Sequence, residues 1–142
     1  MWYTVFAGYI ASGEDLQQWH TNQSDPLYVT CREASRTGYW GGLTRYIRQR
    51  GWSEYIHFEI LPLPLAGTGQ NHHREICGMF SLVSVEIDIT PGRPFNWPLL
   101  QEIEEDIQYK DMLRDIGINL RSWSVFCQGE LGSFHNFDDA AL

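Results

Sequence analysis

His57 and Glu59 stand two residues apart in a stretch, residues 55–61, where Ile56, Phe58 and Ile60 alternate with Tyr55, His57, Glu59 and Leu61. That alternation is the period of an extended strand, so imidazole and carboxylate share one face about 7 Å apart. Both groups are ligands for a divalent cation, and His72 and His73 after the next loop could complete a set, so a metal on His57, His72 and His73 is one chemistry the pattern offers. The following strand adds only Glu86 and Asp88 as acidic partners. The competing interpretation is two polar residues on a half-exposed strand and two loop histidines.

A second group lies in residues 32–52, where Arg32, Arg36, Arg45, Arg48 and Arg50 are interleaved with Tyr39, Trp40, Tyr46 and Trp52. Guanidinium groups neutralise phosphate, aromatic faces stack on bases, and a helix start offers free amides to an anion. Arg32, Arg36, Tyr39, Trp40, Arg45, Arg48 and Arg50 are therefore candidates for nucleic-acid or anion binding. The alternative is that the arginines pair with acids elsewhere in the chain while the aromatics pack in the core.

Those acids are concentrated late in the chain. Glu102, Glu104, Glu105, Asp106, Asp111 and Asp115 gather in one predicted helix, with Asp138 and Asp139 beyond it. The formal net charge is −8, but residues 27–52 carry five arginines against Glu33 alone, while residues 97–142 carry nine acids against Lys110, Arg114 and Arg121. A concentrated negative field steers a basic partner to it and raises association rates.

The His-apolar-Glu strand, with Tyr109 on the later helix, resembles at three positions the His-apolar-His strand and tyrosine nucleophile of HUH-type nucleases. That resemblance implies phosphoester cleavage with His57, Glu59 and Tyr109 as catalytic residues, although Glu replaces the second His. Gly8-Tyr9-Ile10 and Tyr28-Val29-Thr30 lack the spacing and the second glycine of GIY-YIG nucleases. No P-loop, dinucleotide glycine fingerprint, nucleophile elbow or paired-cysteine metal site is present.

The elements that must position these groups follow from periodicity and punctuation. Residues 2–10 read as a central strand, apolar on both faces; Ser12 can cap a short helix over residues 13–20; residues 27–32, rich in Tyr, Val and Thr, predict a short strand. A helix is expected over 43–49, stopped by Gly51, and a strand over 55–61. Residues 62–71 hold two prolines and two glycines and read as a loop. A strand over 76–89 follows, then a helix starting near Leu99 whose apolar face is Leu100, Ile103, Ile107, Leu113 and Ile116, opposite Glu102, Glu105, Asp106 and Lys110, and ending at Gly117. A last strand over 120–128 precedes a tail, 129–142, expected to be irregular.

The sum is a single α+β domain with a mixed or antiparallel sheet and two main helices, ferredoxin-like with a small insertion. At 142 residues, 43% hydrophobic and 14% aromatic, the chain can bury a substantial core. Cys31, Cys77 and Cys127 are expected to be buried free thiols. No apolar run reaches membrane-span length and no basic leader opens the sequence, so the expected setting is cytoplasmic with no membrane partner. The leading expectation is a protein-protein interaction module, an inhibitor or immunity-type protein of the anti-defence kind, without cofactor, whose Glu102, Glu104, Glu105, Asp106, Asp111 and Asp115 meet a basic protein. The alternative is a small nucleic-acid-binding or phosphoester-cleaving enzyme that uses the Arg-rich segment and the His57/Glu59 pair.

Overall fold

The computed structural model describes residues 2–64, 74–94, 99–128 and 134–136. In chain order they form β1 (Trp2–Ser12), α1 (Gly13–Asn22), α2 (Pro26–Ala34), α3 (Tyr39–Gln49), β2 (His57–Pro64), β3 (Arg74–Asp88), α4 (Glu104–Asp115), β4 (Trp123–Gln128) and β5 (Phe134–Asn136). The strands make one sheet in the order β2-β3-β1-β4-β5 with every neighbouring pair antiparallel. The class is α+β, as expected, but four helices stand among the described residues where the two main ones and one short one were expected.

The excess comes from residues 27–32. Their β-branched and aromatic residues predict a strand, yet Asp25 accepts a hydrogen bond from the Leu27 N–H at 3.0 Å and Pro26 occupies the first helical turn. Tyr28 and Cys31, three apart, then fall on one buried helical face. Local capping and a core-facing stripe outweigh the strand propensity. Ser12 caps α1 as expected, accepting from the Asp15 N–H at 3.0 Å. Strand limits also differ. β2 runs through Pro62 and Pro64, paired to Ile76 and Arg74, which an edge strand tolerates because its outer side needs no ladder donors. The segment after Gly129, expected to be irregular, contributes β5.

Side chains alternate across the sheet, so β1 to β4 feed two clusters. Tyr9, Ala11, Phe58 and Phe80 join the helices around Leu16, Tyr28, Leu43, Tyr46 and Leu113. On the other face Phe6, Ile10, Leu61, Cys77, Met79 and Phe126 form a second cluster. A flat five-stranded sheet would hold its edges about 19 Å apart, yet β5 comes into contact with β2, so the sheet curls around this second cluster. Part of the curl originates where the β1/β3 register slips between Ala7 and Gly8, leaving Leu82 as the extra residue on β3. The three cysteines are buried and free of disulfides, and burial pushes the Cys31 and Cys127 thiols up, which keeps them unreactive. No helix among the described residues is long and apolar enough to cross a membrane.

Candidate functional site

The acidic helix differs most from its sequence expectation. α4 starts at Glu104, and Asp106, expected on the solvent side, is buried: its Oδ2 accepts from the Ile103 N–H at 2.9 Å and closes the helix start. Glu102 also turns inward, accepting a hydrogen bond from the Tyr9 hydroxyl, while Lys110 lies 5.4 Å from the Tyr9 ring centroid. Burial, first, and then the Glu102 hydrogen bond raise the Tyr9 phenol well above its ordinary value. The core-facing stripe is therefore Asp106, Tyr109, Met112, Leu113 and Ile116, spaced three and four apart. The roll is held at the far end, where the Ile116 carbonyl accepts from the Trp19 indole at 2.7 Å and from the Gln23 amide at 3.1 Å.

This roll puts the expected core residues Ile103 and Ile107 outside, 55% and 40% exposed, one turn apart, with Leu99 exposed just before the helix. Along the same helix Glu104, Glu105, Asp111 and Asp115 are exposed, as is Arg114. Of the six acids expected to meet a partner, four remain on the surface and two, Glu102 and Asp106, serve the fold. Asp106→Ala is expected to lower stability in urea unfolding by about 1–2 kcal/mol, as loss of a helix-start cap does. Glu104→Ala and Glu105→Ala should stay within about 0.5 kcal/mol of wild type.

The arginine segment divides in three. Arg32 Nη1 donates to the carbonyls of His20, Thr21 and Gln23 at 2.8, 3.2 and 3.0 Å, tying down the end of α1. Arg50 stacks over Trp52 at 4.7 Å and Tyr46 at 5.7 Å. Tyr39 packs edge-on against Phe58, and burial pushes its phenol up. Arg36, Arg45 and Arg48 instead line an open groove with the half-exposed Trp40. Among the described residues no guanidinium of this segment forms an ion pair with an α4 carboxylate. The acidic helix and the basic segment do not consume one another.

His57 Nε2 lies 2.8 Å from Glu59 Oε1 on the sheet face away from the helices, bordering a recess of about 310 Å³ with Thr4, Phe6, Ser81, Ser84 and Gln128. Tyr109 packs with the helices on the opposite face and stacks on Tyr55 at 5.5 Å, so the structure does not bring it to the His57/Glu59 pair. Desolvation, then Tyr55 and the Glu105 and Asp106 carboxylates, raise its phenol, which opposes a phenolate nucleophile. His72 and His73, like Asp138 and Asp139, lie outside the described residues, and no group of three metal-ligating side chains occurs within them. The sequence pattern did not signal the exposed Ile103/Ile107 pair, because period alone assigns both to the core.

No family model, curated protein or solved structure matches this chain.

Proposed function

We propose that the protein is a non-enzymatic interaction module that docks the outer face of α4 on a basic protein surface, as an inhibitor covering a nuclease or nucleic-acid-binding partner would. The exposure of Ile103 and Ile107 beside the exposed Glu104 and Asp111 carries this proposal. An apolar centre that excludes water, beside which exposed carboxylates outnumber the cations Lys110 and Arg114, supplies affinity at the middle and partner choice at the edge. The freedom of these carboxylates from internal guanidinium pairing supports it further. The chain order of four strands in the sequence β2-β3-β1-β4, all antiparallel, supports a ferredoxin-like scaffold in which α1, α2 and α3 replace the first crossover helix and β5 is an addition.

Photocrosslinking from position 107 in the cell that makes the protein, followed by binding measurements with the purified captured protein, tests the proposal. The captured protein is expected to present a basic surface and to bind more weakly as salt rises. The double reversal Glu104→Lys/Glu105→Lys is expected to weaken it about 100-fold, and Ile107→Asp by at least about tenfold. A captured protein with an acidic contact surface, or one held equally well by the double reversal, refutes this reading. Capture of a second copy of the chain does so too.

A further inference from the structure

We propose that the groove between residues 35–37 and α3 binds a nucleotide unit, its phosphate held by Arg36, Arg45 and Arg48 and its base stacked on Trp40. No residue of α4 lines this groove, so the inference stands apart from the docking of α4.

Arg45 and Arg48 are three apart on α3, and Trp40 and Thr44 four apart, so all four side chains rise from neighbouring positions of one helix surface. Arg36 faces them from the turn before α3. That turn can close on the helix because residue 41 is glycine: a Cβ there would run into Ser35 Oγ and Thr37 Oγ1. The resulting groove holds about 400 Å³ and has no acidic residue in its lining. Three guanidinium groups thus converge without a carboxylate to balance them, in a chain whose net charge is −8. Mutual repulsion makes such a cluster unfavourable until an anion enters, and guanidinium forks match phosphate oxygens in pairs. Trp40, 44% exposed at the groove, supplies the flat face on which a base can lie. The volume falls within the range of small-ligand sites.

Phosphate plus base could come from a free nucleotide or from one unit of a single strand. The experiment measures fluorescence anisotropy of labelled adenosine monophosphate and of a short labelled oligothymidylate at low salt. At least one is expected to bind. Arg45→Ala/Arg48→Ala should weaken it at least about tenfold and reduce the slope of log affinity against log salt for the strand by about 1.4. Trp40→Ala should weaken both probes about tenfold while leaving inorganic phosphate binding unchanged, and Arg45→Lys/Arg48→Lys should retain more affinity than the alanine pair. A strand bound about tenfold more tightly than the monophosphate identifies single-stranded nucleic acid; similar affinities identify a free nucleotide. Both arginines and Arg36 are exposed, so thermal unfolding of the variants should match wild type. Failure of both probes to bind the wild-type protein overturns the proposal. So does unchanged affinity in the arginine pair or in Trp40→Ala, or a duplex bound as tightly as the single strand.

Discussion

Gly8→Ala is expected to cost at least about 3 kcal/mol of folding stability, near the upper end for overpacking. Gly8 pairs with Ser81 at the point where β3 carries its extra residue, and the bulge presses the Phe80 carbonyl against the Gly8 α-carbon. An added Cβ would drive into the Phe80 carbonyl oxygen, with the Phe80 carbonyl carbon at 2.8 Å and the Ser81 α-carbon at 2.9 Å. All three are backbone atoms, so no rotamer change relieves the clash; β1 and β3, adjacent inner strands of the sheet, must part. Urea unfolding measures the loss. A variant within about 1 kcal/mol of wild type would mean that the bulge can relax, and the close approach would not be structural.

Tyr28→Ala is expected to cost about 4 kcal/mol, the range for emptying a buried aromatic site. Tyr28 is fully buried at the meeting of α1, α2 and α3, 4.3 Å from the Trp19 ring centroid and 5.4 Å from that of Tyr46. Tyr28→Phe keeps the packing but leaves the His20 Nδ1, 2.5 Å from the Tyr28 hydroxyl, without its partner, at a cost of about 1–2 kcal/mol. His20 also sets a pH dependence. Burial, first, and then the Arg32 charge hold the His20 imidazole below its ordinary value. The unfolded chain therefore takes up a proton before the folded one does. Stability from this group is fully present above about pH 6.5 and declines as pH falls through the window between the unfolded and the lower folded value. His20→Gln should flatten that part of the stability-pH curve, measured by urea unfolding between neutral and mildly acidic pH. An unchanged slope would show that His20 does not carry it.

The acidic helix shows how sequence period can locate an element and still misplace its faces. A helix stopped by Gly117 was legible, although it begins at Glu104 and not near Leu99 as expected, and Gly117 adopts a φ of 95° where the helix ends. Its roll was not legible. Leu100, Ile103, Ile107, Leu113 and Ile116 fit one amphipathic face, but a carboxylate at a helix start gains more by closing exposed backbone N–H groups than by meeting water. Asp106 turns inward for that reason, Glu102 for the Tyr9 hydroxyl, and Ile103 and Ile107 are carried outward. The candidate docking surface is the product of that rotation. Similarly, all five arginines were legible as a basic segment, yet their types could not separate Arg32 and Arg50, engaged with the protein's own carbonyls and rings, from Arg36, Arg45 and Arg48 around the groove.

By itself the sequence determined the α+β class, the strands β1 and β3, the capped start of α1, the buried thiols and the separation of basic from acidic segments. These depend on local spacing, capping chemistry and composition, which act within a few residues of each other. The tertiary structure alone decided that α4 shows its isoleucines to solvent and that the sheet curls until β5 meets β2. Each of those outcomes is a competition between nearly balanced local preferences, settled by partners such as Tyr9, Trp19 and Tyr46 that lie far away along the chain.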